Sequence, residues 1–317
     1  MNNLRWVVIN PTHHHGKKIP EYMMWSNDSF DNLSRLLNAP LYHILDEDID
    51  ETADAYFIAN FDISLIDHEV EFAKRMKERG AKILAAYSQD VRFLHGQGLL
   101  SDSGTLWTKL AEVADVISSG INTNVKIFGR YQDKVIPMGE IIEDNDFASI
   151  LYEERDIDLL TSGAIGEECL SFELEFLSLV KERFPDKKVV SCIHGCYGEL
   201  VNKLRQKYPW IEFTTETFLP LLQRTKVYCN PELRPRPGRS LVECYYCRTP
   251  FIASDFMYHA KLCKEYTYSS SSIVDWVDTY EKLIKEDHRQ IIVKMEERAI
   301  EDNFENVYER IMKEFNL

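Results

Sequence analysis

Residues 230–255, NPELRPRPGRSLVECYYCRTPFIASD, gather the groups that hold a small anion. Arg234, Arg236 and Arg239 supply three guanidinium groups within six positions. Gly238 has no Cβ, so a phosphate can approach the backbone there. Ser240 then opens a helical run through Cys247, and a helix start offers free N–H groups and partial positive charge. Ser240 and Glu243 also have capping-box spacing, in which the two side chains satisfy those same N–H groups. Anion binding and capping both remain open for this pair.

The same stretch carries a second chemistry. Cys244-x2-Cys247-x11-His259-x3-Cys263 has the ligand types and intervals of a zinc finger of the C2HC kind. A zinc-binding adaptor or interaction protein is therefore the alternative class.

Other reactive groups stand directly after apolar runs, where open α/β sheets bring ligands. His13-His14-His15-Gly16 follows the first such run, and a histidine there, His15 among them, can act as base toward an acceptor hydroxyl; a polar surface loop or transient metal binding by the tract is the other reading. Asp90 follows the run at 82–87; a helix cap and a part in the chemistry are its two readings. Gly163 follows the run at 156–161, and His194 the run at 188–193.

Short apolar runs alternate with amphipathic helices along the whole chain. Runs at 4–10, 41–45, 56–61, 82–87, 115–119 and 134–139 read as buried strands, as do 156–161, 188–193, 210–213, 227–229 and 250–253. Ile66, Val70, Ala73 and Met76 share a helix face that Gly80 ends. Leu170, Leu174, Leu177 and Val180 mark a long helix stopped near Pro185. Ile273, Trp276, Val277, Tyr280 and Ile284 form one terminal helix, and residues 291–315 read as a second, with Phe304, Val307, Tyr308 and Ile311 as its stripe. This alternation predicts an α/β protein with two doubly wound parallel sheets.

The 317 residues suffice for two domains, and Lys+Arg 37 against Asp+Glu 52 leaves a net charge of −15. Such acidity disfavours nucleic acid and anionic membrane as partners, whereas the basic island at 224–239 suits one small anion. Seven cysteines in no repeating framework point to a reducing cytoplasm. No apolar run approaches the roughly 18 residues of a membrane span.

The stretch GRSLVECYYCRTPFIASD resembles the donor-nucleotide signature of GT-B glycosyltransferases of the GT4-like kind, through Gly238, Glu243, Cys247, Thr249-Pro250 and Ile252-Ala253-Ser254. The run at 115–119 resembles that family's strand closing its first domain, and the run at 134–139 its interdomain connector. The resemblance implies a GT-B fold: two Rossmann-like domains facing a cleft, with C-terminal helices crossing back. It places an acceptor domain at 1–140, a nucleotide-sugar domain at 141–272 and bracing helices at 273–317. It further implies a hexosyltransferase-like enzyme, retaining and independent of metal, that moves a sugar from a UDP- or GDP-sugar to a hydroxyl of a glycan, lipid, protein or modified nucleobase. Its Glu, Glu243 here, binds the ribose hydroxyls, and its loop amides bind the diphosphate.

Three positions differ from that pattern. Pro235 stands where the family has an earlier Glu, and Arg248 where it has Gly. Gly163-Ala164-Ile165-Gly166-Glu167-Glu168 stands where it has an Arg and a Lys on the diphosphate. Arg234, Arg236 and Arg239 are the replacement cations, and a catalytically inactive GT-B domain is the other outcome of that exchange.

Overall fold

A computed structural model describes residues 4–9, 29–60, 65–87, 109–119, 129–137, 151–162, 167–193, 198–231, 239–254, 267–268, 272–301 and 304–315. The contacts divide the chain into two units. Met1–Ile142, Pro235–Pro237 and Asp302–Leu317 make the first, and Glu143–Arg234 with Gly238–Glu301 the second.

In the first unit, β1 (Trp6–Ile9), β2 (Leu41–Tyr42), β3 (Ala55–Asn60), β4 (Lys82–Tyr87), β5 (Val116–Ser119) and β6 (Val135–Pro137) form one parallel sheet in the order β2-β1-β3-β4-β5-β6. Successive side chains point to opposite faces. Val7, Ile9, Tyr56, Ile58, Ile83, Ala85 and Ile117 therefore share one core, and Trp6, Val8, Phe57, Ala59, Leu84 and Val116 another. Helix α1 (Ser29–Leu36) contributes Leu33 to the second core; α2 (Ile66–Glu78) covers the first with Val70, Ala73 and Met76. Cover on both faces is why these strands read as unbroken apolar runs.

The second unit repeats the plan. Its sheet runs β12-β11-β10-β7-β8-β9, built from β7 (Leu159–Ser162), β8 (Val189–Cys192), β9 (Glu212–Thr214), β10 (Tyr228–Asn230), β11 (Phe251–Ser254) and β12 (Thr267–Tyr268), all parallel. Its helices are α3 (Glu167–Arg183), α4 (Gly198–Lys207), α5 (Phe218–Gln223), α6 (Arg239–Cys247), α7 (Ile273–Lys285) and α8 (His288–Glu301). From β7 the chain winds one way to β8 and β9, then returns to β10 on the other side of β7. That reversal makes the carboxyl ends of β7 and β10 a switch point, where doubly wound sheets bind ligands.

The stretch at 291–315, expected as one helix, is two. Helix α8 stays with the second unit, while α9 (Phe304–Glu314) belongs to the first. The α9 residue Ile311 and the following Phe315 complete the core that holds Trp6, whose ring stacks on Phe315 at 5.8 Å.

Three helix ends share one device. Asn38, Gly80 and Arg248 have φ of 48°, 89° and 53°. Each donates its N–H three residues back, and the following residue donates five back: Ala39 to Ser34, Ala81 to Met76 and Thr249 to Cys244. This is the Schellman stop, which needs a left-handed residue at its corner.

Candidate functional site

At the switch point of the second unit, hydroxyls and an amide join three elements. The Tyr228 hydroxyl, on β10, meets Ser162 Oγ, on β7, at 2.6 Å, and it also bonds the Ser240 side chain. Asn230 Nδ2, at the end of β10, donates to Ser240 Oγ at 2.7 Å. Burial pushes the Tyr228 hydroxyl well above an ordinary tyrosine, and the bonds with Ser162 and Ser240 offset this in part. Tyr228 therefore stays a neutral phenol. The network fixes the first turn of α6 beside the ends of β7 and β10.

Helix α6 starts at Arg239, so Ser240 lies within its first turn and its hydroxyl serves Asn230 and Tyr228. Glu243, one turn on, is 3% exposed. The backbone of Arg239 opens the helix. His15, Asp90, Gly163, His194, Arg234, Arg236 and Gly238 lie outside the described residues.

The other end of α6 is equally constrained. Arg155, 3% exposed, donates from Nη1 to the Thr225 carbonyl at 2.7 Å and to Thr249 Oγ1 at 2.9 Å, and from Nη2 to the Cys247 carbonyl at 2.8 Å. No pattern in the sequence shows this, because its partners stand 70 to 94 positions away. Asn230 carried a readable signal, as an amide ending an apolar strand, yet sequence reasoning passed over it.

Cys244 and Cys247 are fully buried on α6. Burial pushes the Cys247 thiol up to about 12 and Cys244 well above its usual value. His259 and Cys263, the other half of the zinc pattern, lie outside the described residues. Among the described residues no group of three or more His, Cys, Asp and Glu gathers as metal ligands. Nor is any described helix long and apolar enough to cross a membrane.

No protein-family model matches the sequence, and no curated protein matches it. Solved structures do match. A trehalose 6-phosphate synthase from Burkholderia multivorans superposes with a TM-score of 0.61 at 12% identity, over 83% of this chain and 71% of its own. A sucrose-phosphate synthase from Thermosynechococcus elongatus gives 0.60 at 13%, over 83% and 73%. The pneumococcal O-GlcNAc transferase GtfA, in complex with UDP and GlcNAc, gives 0.58 at 11%, over 82% and 56%. The fold shared with these glycosyltransferases is GT-B: two parallel-sheet α/β units in one chain.

Proposed function

We propose that the chain is a glycosyltransferase that moves a sugar from a UDP- or GDP-sugar to an acceptor hydroxyl, retaining in stereochemistry and independent of metal. The observation that carries this reading is α6. The stretch that resembles a donor signature places helix α6 between strands β10 and β11, and that helix starts at the switch point of a GT-B half. The enzyme GtfA, of the same fold, is in complex with UDP.

In this reading the second unit holds the donor. The α6 N–H groups and Gly238 cradle the diphosphate, with Arg234, Arg236 and Arg239 opposing the charge that develops as it leaves. Glu243 and Ser240 face the ribose side, and Gly163 and His194 complete the donor set from the ends of β7 and β8. The first unit carries the acceptor, with His15 and Asp90 as groups that orient or deprotonate its hydroxyl. The acceptor class is a glycan, lipid, protein or modified nucleobase. A cytoplasmic setting is supported by Cys192, Cys229, Cys244 and Cys247, all free thiols.

Thermal unfolding against UDP, GDP and their sugars tests the proposal. A true donor at about 100 times its dissociation constant adds about 2.7 kcal/mol to stability. A chain that no nucleotide stabilises is not this enzyme. Arg239→Ala and Glu243→Ala should abolish or weaken the response; an unchanged response removes them from the site.

A second reading is a GT-B domain that binds without turnover. It rests on Glu167-Glu168, which open α3 where the resembled family has cations. Nucleotide binding without sugar transfer or donor hydrolysis would favour it.

A further inference from the structure

We propose that Arg155 is a positioning residue for α6 and, through α6, for the diphosphate of the donor; this rests on the donor reading above. Four contacts carry it. The guanidinium holds the Cys247 carbonyl at the end of α6, the Thr225 carbonyl at the approach to β10, and the Thr249 hydroxyl that follows the helix stop. That hydroxyl donates onward to the Leu222 carbonyl of α5 at 3.1 Å. One planar fork thus sets the mutual placement of two helices and a strand, a task suited to arginine because its donors diverge at fixed angles.

The position is also electrostatically apt. A helix end carries partial negative charge on its free carbonyls, and Arg155 places a cation there. Burying that cation is expensive, and an apolar side chain would pack the same space at lower cost. A buried arginine in this place is therefore better explained by directional control of α6 than by stability alone.

Control at one end reaches the other because α6 is short and stiff. Its nine residues make a rod of about 13 Å. The segment from Arg155 to Ser162 engages both ends: Arg155 holds Cys247, and Ser162 holds Tyr228, which bonds Ser240. Loosening the carboxyl end tilts the N–H groups at the amino end, and hydrogen bonds to a phosphate weaken steeply with angle.

The test uses the full chain with Arg155→Lys and Arg155→Met. Calorimetric titration with UDP, UMP, GDP and GMP is run at a temperature where circular dichroism shows each protein folded. The diphosphate-to-monophosphate affinity ratio reports the α6 amino end, whereas a merely structural role moves only the melting temperature. Arg155→Met should lower the preferred diphosphate's affinity about tenfold and the monophosphate's by less than about threefold, with Arg155→Lys recovering part of the loss. If Arg155→Met does not fold, a partial fall of the ratio in Arg155→Lys carries the proposal. A ratio equal to wild type in every folded variant overturns it. A wild-type chain that binds none of the four nucleotides instead removes the donor reading, and this proposal with it.

Discussion

The hydroxyls of Tyr228 and Ser162 meet at 2.6 Å where β10 and β7 lie side by side at the reversal of the second sheet. The two residues stand 66 positions apart. Their bond closes the seam that the winding of the chain leaves, and Ser240 extends it to α6. Tyr228→Phe removes this oxygen and leaves Ser162 and Ser240 to find other partners. A loss of about 1–2 kcal/mol is expected for a buried hydroxyl with two partners. Denaturant unfolding should show a lower midpoint with an unchanged slope. A midpoint equal to wild type would mean that the seam contributes nothing.

Arg248 holds a left-handed backbone, φ 53°, in a place where glycine is free of steric cost. Its side chain is exposed. Arg248→Gly should therefore stabilise the chain by about 0.5–1 kcal/mol, the relief of strain less the extra freedom of glycine when unfolded. Gly80 is the converse: a Cβ there meets nothing within 4 Å, yet φ is +89°. Gly80→Ala should cost about 1 kcal/mol through the backbone alone. Melting curves of both variants check the pair, and shifts of the same sign in both would contradict it.

These stops also show what was legible in the sequence. Gly80 announces its helix end by type, and α2 ends at Glu78 just before it. Arg248 announces nothing, and the sequence shows it only as a departure from a pattern. Strands covered on both faces were readable because Lys82–Tyr87 and its like are continuous apolar runs of strand length. Strand β12 was not, since Thr267–Tyr268 is too short to carry a period. Helix α1 was missed too: its eight residues hold few apolar positions, and tertiary contact through Leu33 decides it. The division of 291–315 was hidden because an apolar stripe runs through both halves, while the cores they join belong to different units. Of the candidate site, Ser240 and Glu243 could be named from spacing. The Tyr228–Ser162 seam and the Arg155 contacts could not, because only the winding of the sheet brings them together.

Asp156 accepts two bonds from Arg224, at 2.8 and 2.6 Å, and one from Lys188 at 3.1 Å. The Arg224 bonds above all hold its carboxyl well below the usual aspartate value, against a smaller opposing effect of burial. A folded value below the unfolded one contributes stability above about pH 3.9, and that contribution disappears as pH falls toward the folded value. Asp156→Asn should therefore flatten part of the acid limb of the stability profile below about pH 4. At neutral pH its cost should be only about 0.2–1 kcal/mol, because both side chains are more than a third exposed and screened by water. Urea unfolding from pH 2 to 7 checks this, and 0.5 M salt should shrink the difference. An acid limb as steep in Asp156→Asn as in wild type would sink the assignment.

Phe315 tests the return of the chain to the first sheet. It is 3% exposed and stacks on Trp6, whose ring also meets Tyr308 edge-on at 6.4 Å. Around them Val8, Leu33, Phe57 and Ile311 close the same core, so the space left by truncation has no nearby chain to refill it. Phe315→Ala should cost about 3–5 kcal/mol, the usual loss for a buried phenylalanine whose cavity persists. The effect should fall on the first unit, where Phe315 and Trp6 both reside, and leave α6 and its neighbours intact. Hydrogen exchange separates the two outcomes. Amides of β1 and β3 should lose protection by a factor of about a hundred or more, following the free-energy loss, while those of β7 and β10 keep theirs. Equal loss in both sheets would show that the units unfold as one, and no loss in β1 would show that α9 is not part of that core.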